Sequence, residues 1–490
     1  MGTFSLLAVL VALSTKAVLG HGDHHALPEG QFISVEPLDS ILWIHIVLMI
    51  VAFGLILPTG MVLGITRSRW HVPVQVVGTI VAFLAYFLGH LHKGRQFAPN
   101  IHALYANSLM LMLICQIVLG IYLRLHLTKG IHGKLRYYIV TVHGVIGKIM
   151  PLVTWIQMLF GGITALGFCH DDHLGQCLAH FIMGSAFIAY GILLTILLLV
   201  GQVWLRSTGR SQEFFDSIVI TLWGCINTFT EHRWGEPWGH NDMQHTSMGI
   251  IWWCAGLLGL FLSRKRNGRP RRNIFPAIVI LLTGYAMSSH PQHLPISAKL
   301  HSVFGYTLMA AGVARIVEIC FVLNDRDAFS HDGTEASSFQ YLTPFLLYAS
   351  GFLFMGATEE QMLLLDSAGI DHVSYILVLY SVACLMFLFV NILLHIYGVK
   401  AFPDTAKYER SVRIAAARHS RPPQYQYPTA FNLNQLQRQL EQVSGYTRPH
   451  HDAQHIRDAQ EFELEGLMGA TDPDSPTTSM PPPVPPKPEV

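Results

Sequence analysis

The stretch WIHIVLMIVAFGLILPTGMVLG, residues 43–64, is apolar over a length that crosses a lipid bilayer, yet its third residue is a histidine. A titratable ring at membrane depth costs free energy unless it has a partner, so His45 predicts a binding function for this segment. The whole chain has the same character, because 51% of its 490 residues are hydrophobic, 13% are charged, and the mean hydropathy is +0.38. This composition indicates a polytopic membrane protein in contact with lipid, not a soluble globular domain. The formal net charge of +1 gives no sign of a nucleic-acid partner.

Apolar runs of spanning length recur along the chain and predict about eleven transmembrane helices. We therefore expect an all-α, polytopic membrane protein. The predicted helices lie at residues 41–63, 73–91, 102–123, 138–166, 180–204, 216–231, 245–263, 273–289, 300–323, 340–356 and 372–398.

Both ends of the chain differ in composition from these helices. Residues 1–20 have the apolar core and small residues of a signal peptide, whose cleavage leaves a lumenal segment at 21–40. From about residue 401, Pro, Gln and Ser replace the aliphatic residues, which predicts a disordered cytosolic tail. Its PPVPPK run fits a ligand for an SH3-type domain through Pro482, Pro485 and Lys487, although a solvated linker fits the composition equally well.

The basic residues predict how the chain is oriented in the membrane. A lumenal N-terminus and eleven helices put the C-terminus in the cytosol, and the cytosolic loops then carry fifteen Arg and Lys residues against four in the lumenal loops. The fifteen are Arg67, Arg69, Arg124, Lys129, Lys134, Arg136, Arg206, Arg210, Arg264, Lys265, Arg266, Arg269, Arg271, Arg272 and Arg326, and the four are Lys93, Arg95, Arg233 and Lys299. This excess follows the positive-inside rule. We expect an integral membrane protein of the secretory pathway, in the plasma membrane or an endomembrane.

Two of the seven cysteines share one predicted lumenal loop, GFCHDDHLGQC. An oxidising compartment favours a disulfide between Cys169 and Cys177. Histidines and aspartates at residues 170–173 leave a zinc or copper site in the same loop as the alternative.

Four histidines stand near the starts of the first four predicted helices: His45, His71, His102 and His143. Because successive helices alternate in direction, His45 and His102 share the lumenal level, while His71 and His143 share the cytosolic level. Helices one and three can be diagonal neighbours in an antiparallel four-helix bundle, as can helices two and four. Two opposed imidazoles at one depth suit a low-spin haem iron, and one haem per leaflet would form an electron path across the membrane.

Small residues near these histidines fit a bulky planar ligand, but ordinary close packing of membrane helices uses small residues too. Interfacial histidines are also often only solvated. His90 or His92 is an alternative second-helix histidine, which would lie on the lumenal side and remove the two-level pairing. The available glycines are Gly54, Gly60, Gly64, Gly78, Gly89, Gly144, Gly147, Gly161 and Gly162.

The N-terminal half resembles the cytochrome b561 family. The likeness is carried by WIHIVLMIVAFGLILPTGMVLG, RWHVPVQVVGTIVAFLAYFLG, IHALYANSLMLMLICQIVLGIYLR and LRYYIVTVHGVIGKIMPLVTWIQMLFGG, with Pro58, Gly60, Gln75, Gln116 and Gly147. It covers about residues 40–165 and implies two haems b, with His45 paired with His102 and His71 paired with His143. It also implies electron transfer from a cytosolic donor of the ascorbate kind to a lumenal acceptor.

The chain as a whole resembles the YTP-type family of fungal membrane proteins. That likeness is carried by EHRWGEPWGHNDMQHTSMGIIWW and SSHPQHLPISAKLHSVFGYTLMAAG. It implies a cytochrome b561-like helical domain at residues 41–204 and a YTP-type C-terminal helical domain at 205–400, followed by the tail at 401–490.

Imidazoles and carboxylates gather at the predicted lumenal helix ends of the C-terminal half, where they suit zinc, copper or iron(II). A proton relay, a hydrated vestibule, or polar loops satisfied by water and by each other fit the same pattern. The candidate metal ligands are His240, His245, His290, His293 and His301, accompanied by Glu231, His232, Asp242, Glu359, Glu360, Asp371 and His372.

Two charged residues lie deeper, inside the ninth predicted helix. The spacing of Arg315 and Glu318 places both on one helix face. An intramembrane charge needs a partner, so we expect a structural ion pair.

The sequence thus predicts transmembrane electron transfer through two bis-histidine haems b, as in a ferric or cupric reductase with a possible lumenal transition-metal site. Two other classes remain open. One is a lumenal metal-ion or proton transporter without haem, and the other is a non-catalytic membrane scaffold that acts through its Pro-rich tail.

Overall fold

The computed structural model describes residues 27–401, apart from residues 29, 233–234, 236, 266–267, 269 and 324–335. This part of the chain is helical and contains no β-strand, only isolated bridges such as Ile33 with Phe97. The predicted signal peptide and the Pro-rich tail with Pro482, Pro485 and Lys487 lie outside the described residues.

Four long helices form the N-terminal bundle. They are α1 (Ser40–Ile65), α2 (His71–Leu91), α3 (Ile101–Arg124) and α4 (Ile131–Leu166). Side-chain caps explain where two of them begin, since Asp39 accepts from the backbone N–H of Leu42 and Asn100 accepts from that of Ala103, each at 2.9 Å. α4 ends at Gly167, whose φ of +71° is the left-handed conformation that glycine adopts without strain.

The C-terminal half adds a second set of helices. They are α5 (Leu174–Leu199), α6 (Gln202–Ser207), α7 (Gln212–Thr230), α8 (His240–Leu262), α9 (Phe275–Ser288), α10 (Pro295–Val322), α11 (Leu342–Met355), α12 (Glu359–Ser367) and α13 (His372–Ala401). α10 is the most buried spanning helix and α13 the least, so α10 is central and α13 peripheral. Close packing at the centre depends on glycine, because a Cβ at Gly305 would lie 2.4 Å from the carbonyl oxygen of Gly284.

Each of the eleven predicted helices corresponds to a helix of the structure. Within the described residues, eight helices are long and apolar enough to cross a membrane, or nine if α11 and α12, bent by 74°, form one span. α7 lies outside this set and carries Glu213 and Asp216 near its start, and α9 is shorter, with 14 residues. The structure is that of a polytopic membrane protein, and the exact number of spans stays a prediction.

We call the end at which α1 begins the first end, and the end at which it finishes the second end. α1 and α2 run antiparallel, because His45 at the start of α1 lies against Gly89 at the end of α2. The bundles are joined near the first end by the loop between α4 and α5. Deeper in the membrane, the Trp155 indole donates to the Ser185 hydroxyl at 3.0 Å.

Candidate functional site

Two histidines from diagonal helices face each other at the first end. The ring centres of His45 and His102 are 6.4 Å apart, and the ring planes are inclined by 85°. The Nδ1 atom of His45 lies 2.7 Å from the carbonyl oxygen of Ala85, and that of His102 lies 3.2 Å from the carbonyl oxygen of Gln157. A carbonyl oxygen only accepts, so Nδ1 of His45 donates and its Nε2 is left as the nitrogen that can bind a metal. Nδ1 of His102 lies closer to the side-chain amide nitrogen of Gln157, at 2.9 Å, and an amide nitrogen donates.

The second end repeats the arrangement. The ring centres of His71 and His143 are 6.3 Å apart, and the planes are inclined by 83°. The Nδ1 atom of His71 lies 2.7 Å from the carbonyl oxygen of Gly60. The Nδ1 atom of His143 is buried and has no hydrogen-bond partner among the described residues. The sequence-predicted pairs are therefore the pairs that the structure brings together.

Each of the four rings lies against a glycine of a neighbouring helix. The nearest distances from an added Cβ to the ring would be 2.7 Å for Gly89 to His45, 2.8 Å for Gly64 to His71, 3.0 Å for Gly161 to His102 and 3.5 Å for Gly120 to His143. Three of these glycines were candidates in the sequence. The sequence analysis did not include Gly120. It lies on the face of α3 that is directed to His143 of α4. The glycines let the helix backbones approach the rings closely.

Two glutamines lie beside the second-end pair and contact neighbouring helices. The Gln116 amide donates to the His143 carbonyl oxygen at 2.9 Å and would lie 3.0 Å from a Cβ at Gly147. The Gln75 side chain would lie 2.7 Å from a Cβ at Gly60. The Gln116 contacts join α3 to α4, and the Gln75 contact joins α2 to α1. These contacts fix how the helices of each pair are aligned along their length.

The paired rings have the separation that one bis-imidazole iron requires. With metal–nitrogen bonds of about 2.0–2.1 Å and ring centres about 1.1 Å behind the nitrogens, two imidazoles on opposite sides of one iron have centres about 6.3 Å apart. The observed 6.4 Å and 6.3 Å agree with this value. The spacing of the ring centres therefore fits two imidazoles on one metal at each end.

The alternative histidines of helix two do not take part in the second-end pair. The Nδ1 atom of His90 lies 2.9 Å from the carbonyl oxygen of Tyr86 in its own helix, and the His92 ring contacts Phe97. Both lie at the first end, whereas His71 begins α2 at the second end. His71 is therefore the histidine of α2 that lies opposite His143, and the identity of the second-helix ligand stays a prediction.

The loop between α4 and α5 contains the predicted disulfide, Cys169–Cys177, with a Cα–Cα distance of 5.3 Å. Among the described residues, these sulfurs and a carboxylate oxygen of Glu360 form the one set of His, Cys, Asp and Glu ligand atoms within 4.8 Å of one another. Disulfide sulfurs are not thiolates, and the Glu360 carboxylate accepts from the backbone N–H of Cys169 at 2.9 Å. A structural disulfide is the better interpretation of this loop.

The histidines of the same loop do not converge on a metal position. The His170 ring stacks on Phe32 with ring centres 3.5 Å apart. His173 is directed to Glu359, with Nδ1 and carboxylate oxygen 3.6 Å apart. The alternative zinc or copper site at residues 170–173 is therefore not assembled.

A histidine-lined cavity of about 390 Å³ lies at the first end of the C-terminal half. Four of its rings form a chain of neighbours, with centres 5.9 Å apart for His180 and His301, 6.4 Å for His301 and His290, and 5.2 Å for His290 and His245. His293 also lines the cavity. Four of the five predicted metal ligands thus meet in one place.

One predicted ligand drops out of this set, and one residue that was not predicted joins it. His240 is exposed and does not line the cavity. It begins α8 five residues before His245, which places it about 140° away around the helix. His180, which the sequence did not single out, takes part instead. It lies in the second turn of α5, as His245 and His301 lie in the second turns of α8 and α10, and this shared position was the available signal.

The cavity histidines present a common arrangement of nitrogens. The Nδ1 atoms of His180 and His301 bond to carbonyl oxygens one helical turn earlier, at 2.8 and 2.9 Å. The Nδ1 atom of His245 lies 3.2 Å from the Glu231 carboxylate, and that of His290 lies 3.0 Å from a backbone carbonyl oxygen. His290 lies in the loop after α9. Burial lowers the pKa of its imidazole, so the ring is neutral near pH 7. A neutral imidazole is the form that binds a metal.

Other polar residues of this end are satisfied by each other. His232 stacks on Trp238 with ring centres 3.8 Å apart and pairs with Asp242 at 3.1 Å. His372 pairs with Asp371 at 3.3 Å. For these residues the interpretation as interfacial polar loops holds.

The predicted ion pair of α10 is present, and it belongs to a larger buried network at the second end. Arg315 contacts Glu318 at 2.7 Å and Glu213 of α7 at 2.7 Å, and Arg272 contacts Glu213 at 2.8 Å. Asp216 accepts a hydrogen bond from Tyr190 beside this group. The carboxylate of Glu213 is fully buried, so these contacts are structural.

Comparison with known proteins gives this architecture a family. The family model described as "Protein YTP1-like, C-terminal" matches residues 153–398, and that described as "Domain of unknown function (DUF2427)" matches residues 25–126. No solved structure matches the chain.

Three fungal relatives show the extent of the similarity. "Protein YTP1" of Saccharomyces cerevisiae is 46% identical over 259 residues, covering 52% of this chain and 54% of that protein. "Uncharacterized membrane protein C3B8.06" of Schizosaccharomyces pombe is 22% identical over 450 residues, covering 66% of this chain and 87% of that protein. "Uncharacterized membrane protein YCR061W" of Saccharomyces cerevisiae is 29% identical over 183 residues, covering 32% and 28%.

The chain spans about half the length of Protein YTP1, and two of these relatives are named as membrane proteins, in agreement with the spanning helices. The C-terminal family model matches half of the chain. The chain belongs to the YTP1-like family of fungal membrane proteins.

Proposed function

We propose that this protein transfers electrons across a membrane through two haems b, each held between two histidines. The ligands are His45 and His102 at the first end and His71 and His143 at the second end. The observation that carries the proposal is the repeated geometry, with ring centres 6.4 and 6.3 Å apart and nearly perpendicular ring planes at both ends. Ordinary helix packing gives no reason for the same spacing to recur at two depths.

The chain orients the ligand nitrogens in advance. The bonds from Nδ1 of His45 and His71 to the carbonyl oxygens of Ala85 and Gly60 hold the rings in one rotamer and one tautomer. The neighbouring glycines admit the rings without pushing the helices apart. Haem iron, when bound, supplies one-electron redox chemistry. The protein's own part is to keep Nε2 of His45 and His71, one histidine of each pair, unprotonated and available to the iron.

The direction of electron flow follows from the proposed orientation. Basic residues in the loops favour the second end as cytosolic, and a disulfide between Cys169 and Cys177 favours the first end as lumenal or extracellular. Electrons would enter from a cytosolic donor of the ascorbate kind and leave at the first end. A ferric or cupric ion is the proposed acceptor, which makes the protein a transmembrane metal reductase.

Optical spectra of the purified full-length protein test the proposal. We expect dithionite reduction to give the sharp signal of bis-histidine haem, with two haems per chain. His102→Ala and His143→Ala should each remove one haem, while His90→Ala, outside both pairs, should keep two. Protein expressed with ample haem supply that shows no reducible haem signal would overturn the proposal.

The histidine-lined cavity favours a second candidate, a metal-ion or proton transporter that needs no haem. Metal content and uptake separate the two functions. In a transporter, a cavity variant such as His301→Gln abolishes uptake while His102→Ala leaves it unchanged. In a reductase, both variants lower metal reduction.

A further inference from the structure

The cavity at the first end is lined by sulfur as well as by imidazole. Its wall contains four methionines from four different helices: Met183 of α5, Met248 of α8, Met287 of α9 and Met362 of α12. Three of them are buried, which keeps their thioethers away from bulk water.

One nitrogen in the cavity is buried without a partner. The Nε2 atom of His180 has no hydrogen bond among the described residues, although the side chain is only 8% exposed. The opposite nitrogen bonds to the carbonyl oxygen of Gln176 in its own helix, so Nε2 faces away from that helix. Stacking on Phe354, with ring centres 4.6 Å apart, holds the ring in place. An unsatisfied buried nitrogen costs free energy unless a ligand occupies it.

We propose that this cavity binds a copper ion through two neighbouring imidazoles of the row His180, His301, His290 and His245, together with thioethers of the methionine wall. The proposal goes beyond the proposed electron transfer, because it does not require haem. Imidazole accepts copper, zinc, iron and nickel, but thioether is a soft donor that selects Cu(I). Hard cations such as Ca²⁺ and Mg²⁺ prefer oxygen ligands and gain nothing from this wall.

The spacing of the rings suits Cu(I), which tolerates low coordination numbers. His290 and His301 have ring centres 6.4 Å apart, the separation at which two imidazoles reach one metal from opposite sides. His180 and His245 flank this pair at 5.9 and 5.2 Å. The spacing therefore suits one Cu(I) between two imidazoles, and the methionines of the same cavity wall are the further proposed ligands. The partly exposed carboxylate of Glu231 adds the negative charge that a cation requires.

Anaerobic titration of the purified full-length protein with Cu(I), in competition with a chromophoric Cu(I) chelator, tests the site. We expect one tightly bound Cu(I) per chain. His180→Gln should weaken binding on the order of 10–100-fold. The double variant Met248→Leu/Met287→Leu keeps volume and apolarity, so it should fold normally and still lose about 10-fold or more in Cu(I) affinity.

Matched controls separate the site from its surroundings. His372→Gln, at the same end but outside the cavity, and Met355→Leu, buried against Gly184 and not among the residues that line the cavity, should bind Cu(I) as the wild type does. Each variant is first compared with the wild type in gel filtration and thermal melting, and only variants that match are titrated.

Three results would overturn the proposal: no competitive Cu(I) binding, wild-type affinity in the double methionine variant, or displacement of copper by an equal concentration of Zn²⁺. His71→Ala distinguishes this proposal from the haem proposal. It should lower haem content and leave Cu(I) binding unchanged, and copper binding by a protein without haem would still support the copper site.

Discussion

At the scale of single residues, glycines set how closely a paired histidine ring approaches the neighbouring helix. A Cβ added at Gly89 would lie 2.7 Å from His45, a distance at which the ring must move. A Cβ at Gly120 would lie 3.5 Å from His143, an ordinary contact. The same substitution therefore has different consequences at two positions that look alike in the sequence.

Gly89→Ala is expected to lower the haem content from two per chain to one, because the added methyl group displaces the His45 ring. Alanine is preferred over glycine inside a helix by about 1 kcal/mol, so a loss of haem would not come from weakening α2. The haem-to-protein ratio of the purified variant measures the effect. Gly120→Ala is the control and should keep two haems; equal ratios in both variants would contradict the role given to His45.

The contacts among the buried charges of Arg315, Glu213 and Glu318 are also effects of single residues, here on the stability of the fold. Arg315→Met leaves both carboxylates buried with fewer partners, and removing one member of such a network costs about 3–5 kcal/mol. We expect a lower melting temperature of the detergent-purified protein. Lys299→Met, a basic residue outside the network, should melt as the wild type does. A wild-type melting temperature for Arg315→Met would mean that the network does not stabilise the fold.

At the scale of elements, the connection between α4 and α5 ties the two bundles together at the first end. The disulfide Cys169–Cys177 closes this loop, and the backbone N–H of Cys169 reaches Glu360 at the start of α12. The loop therefore anchors the start of α5, where His180 of the cavity lies.

The double variant Cys169→Ser/Cys177→Ser should be less stable, by about 2–4 kcal/mol if the bridge acts as disulfides usually do. Reductant should lower the melting temperature of the wild type to that of the variant and leave the variant unchanged. Cys254→Ser, a free exposed cysteine, serves as the control. Identical melting temperatures of wild type and double variant in the absence of reductant would contradict the bridge.

At the scale of the whole molecule, the two ends differ in chemistry as well as in position. The first end carries the disulfide and the histidine-lined cavity, while the second end carries most of the basic loop residues and the buried ion network. This asymmetry is the basis for the proposed orientation, with the first end lumenal.

Engineered glycosylation acceptors test that orientation. An Asn-Gly-Ser insertion after Gly369, between α12 and α13 at the first end, should be glycosylated in cells. The same insertion after Lys129, between α3 and α4 at the second end, should remain unmodified. Modification of the second site alone would reverse the orientation and the proposed direction of electron flow.

The sequence by itself predicted eleven of the helices, though not α12, and the ends of the bundle at which the four paired histidines lie. Apolar length specifies where helices lie, since every backbone group in lipid must bond within its own helix. Alternation of direction then places His45 level with His102 and His71 level with His143. The cysteine pair needed only its eight-residue separation and an oxidising context. All of these are properties of one helix, one loop, or a simple up-and-down order.

Only the tertiary structure decided which side chains meet across helices that are distant in the chain. It brought His180 into the cavity, left His240 outside, and joined Glu213 to Arg315 across 102 positions. Helical periodicity says that a residue lies on a face, but the partner of that face depends on how whole helices rotate and pack. That choice is made by the summed contacts of the entire bundle, so no local pattern in the sequence contains it.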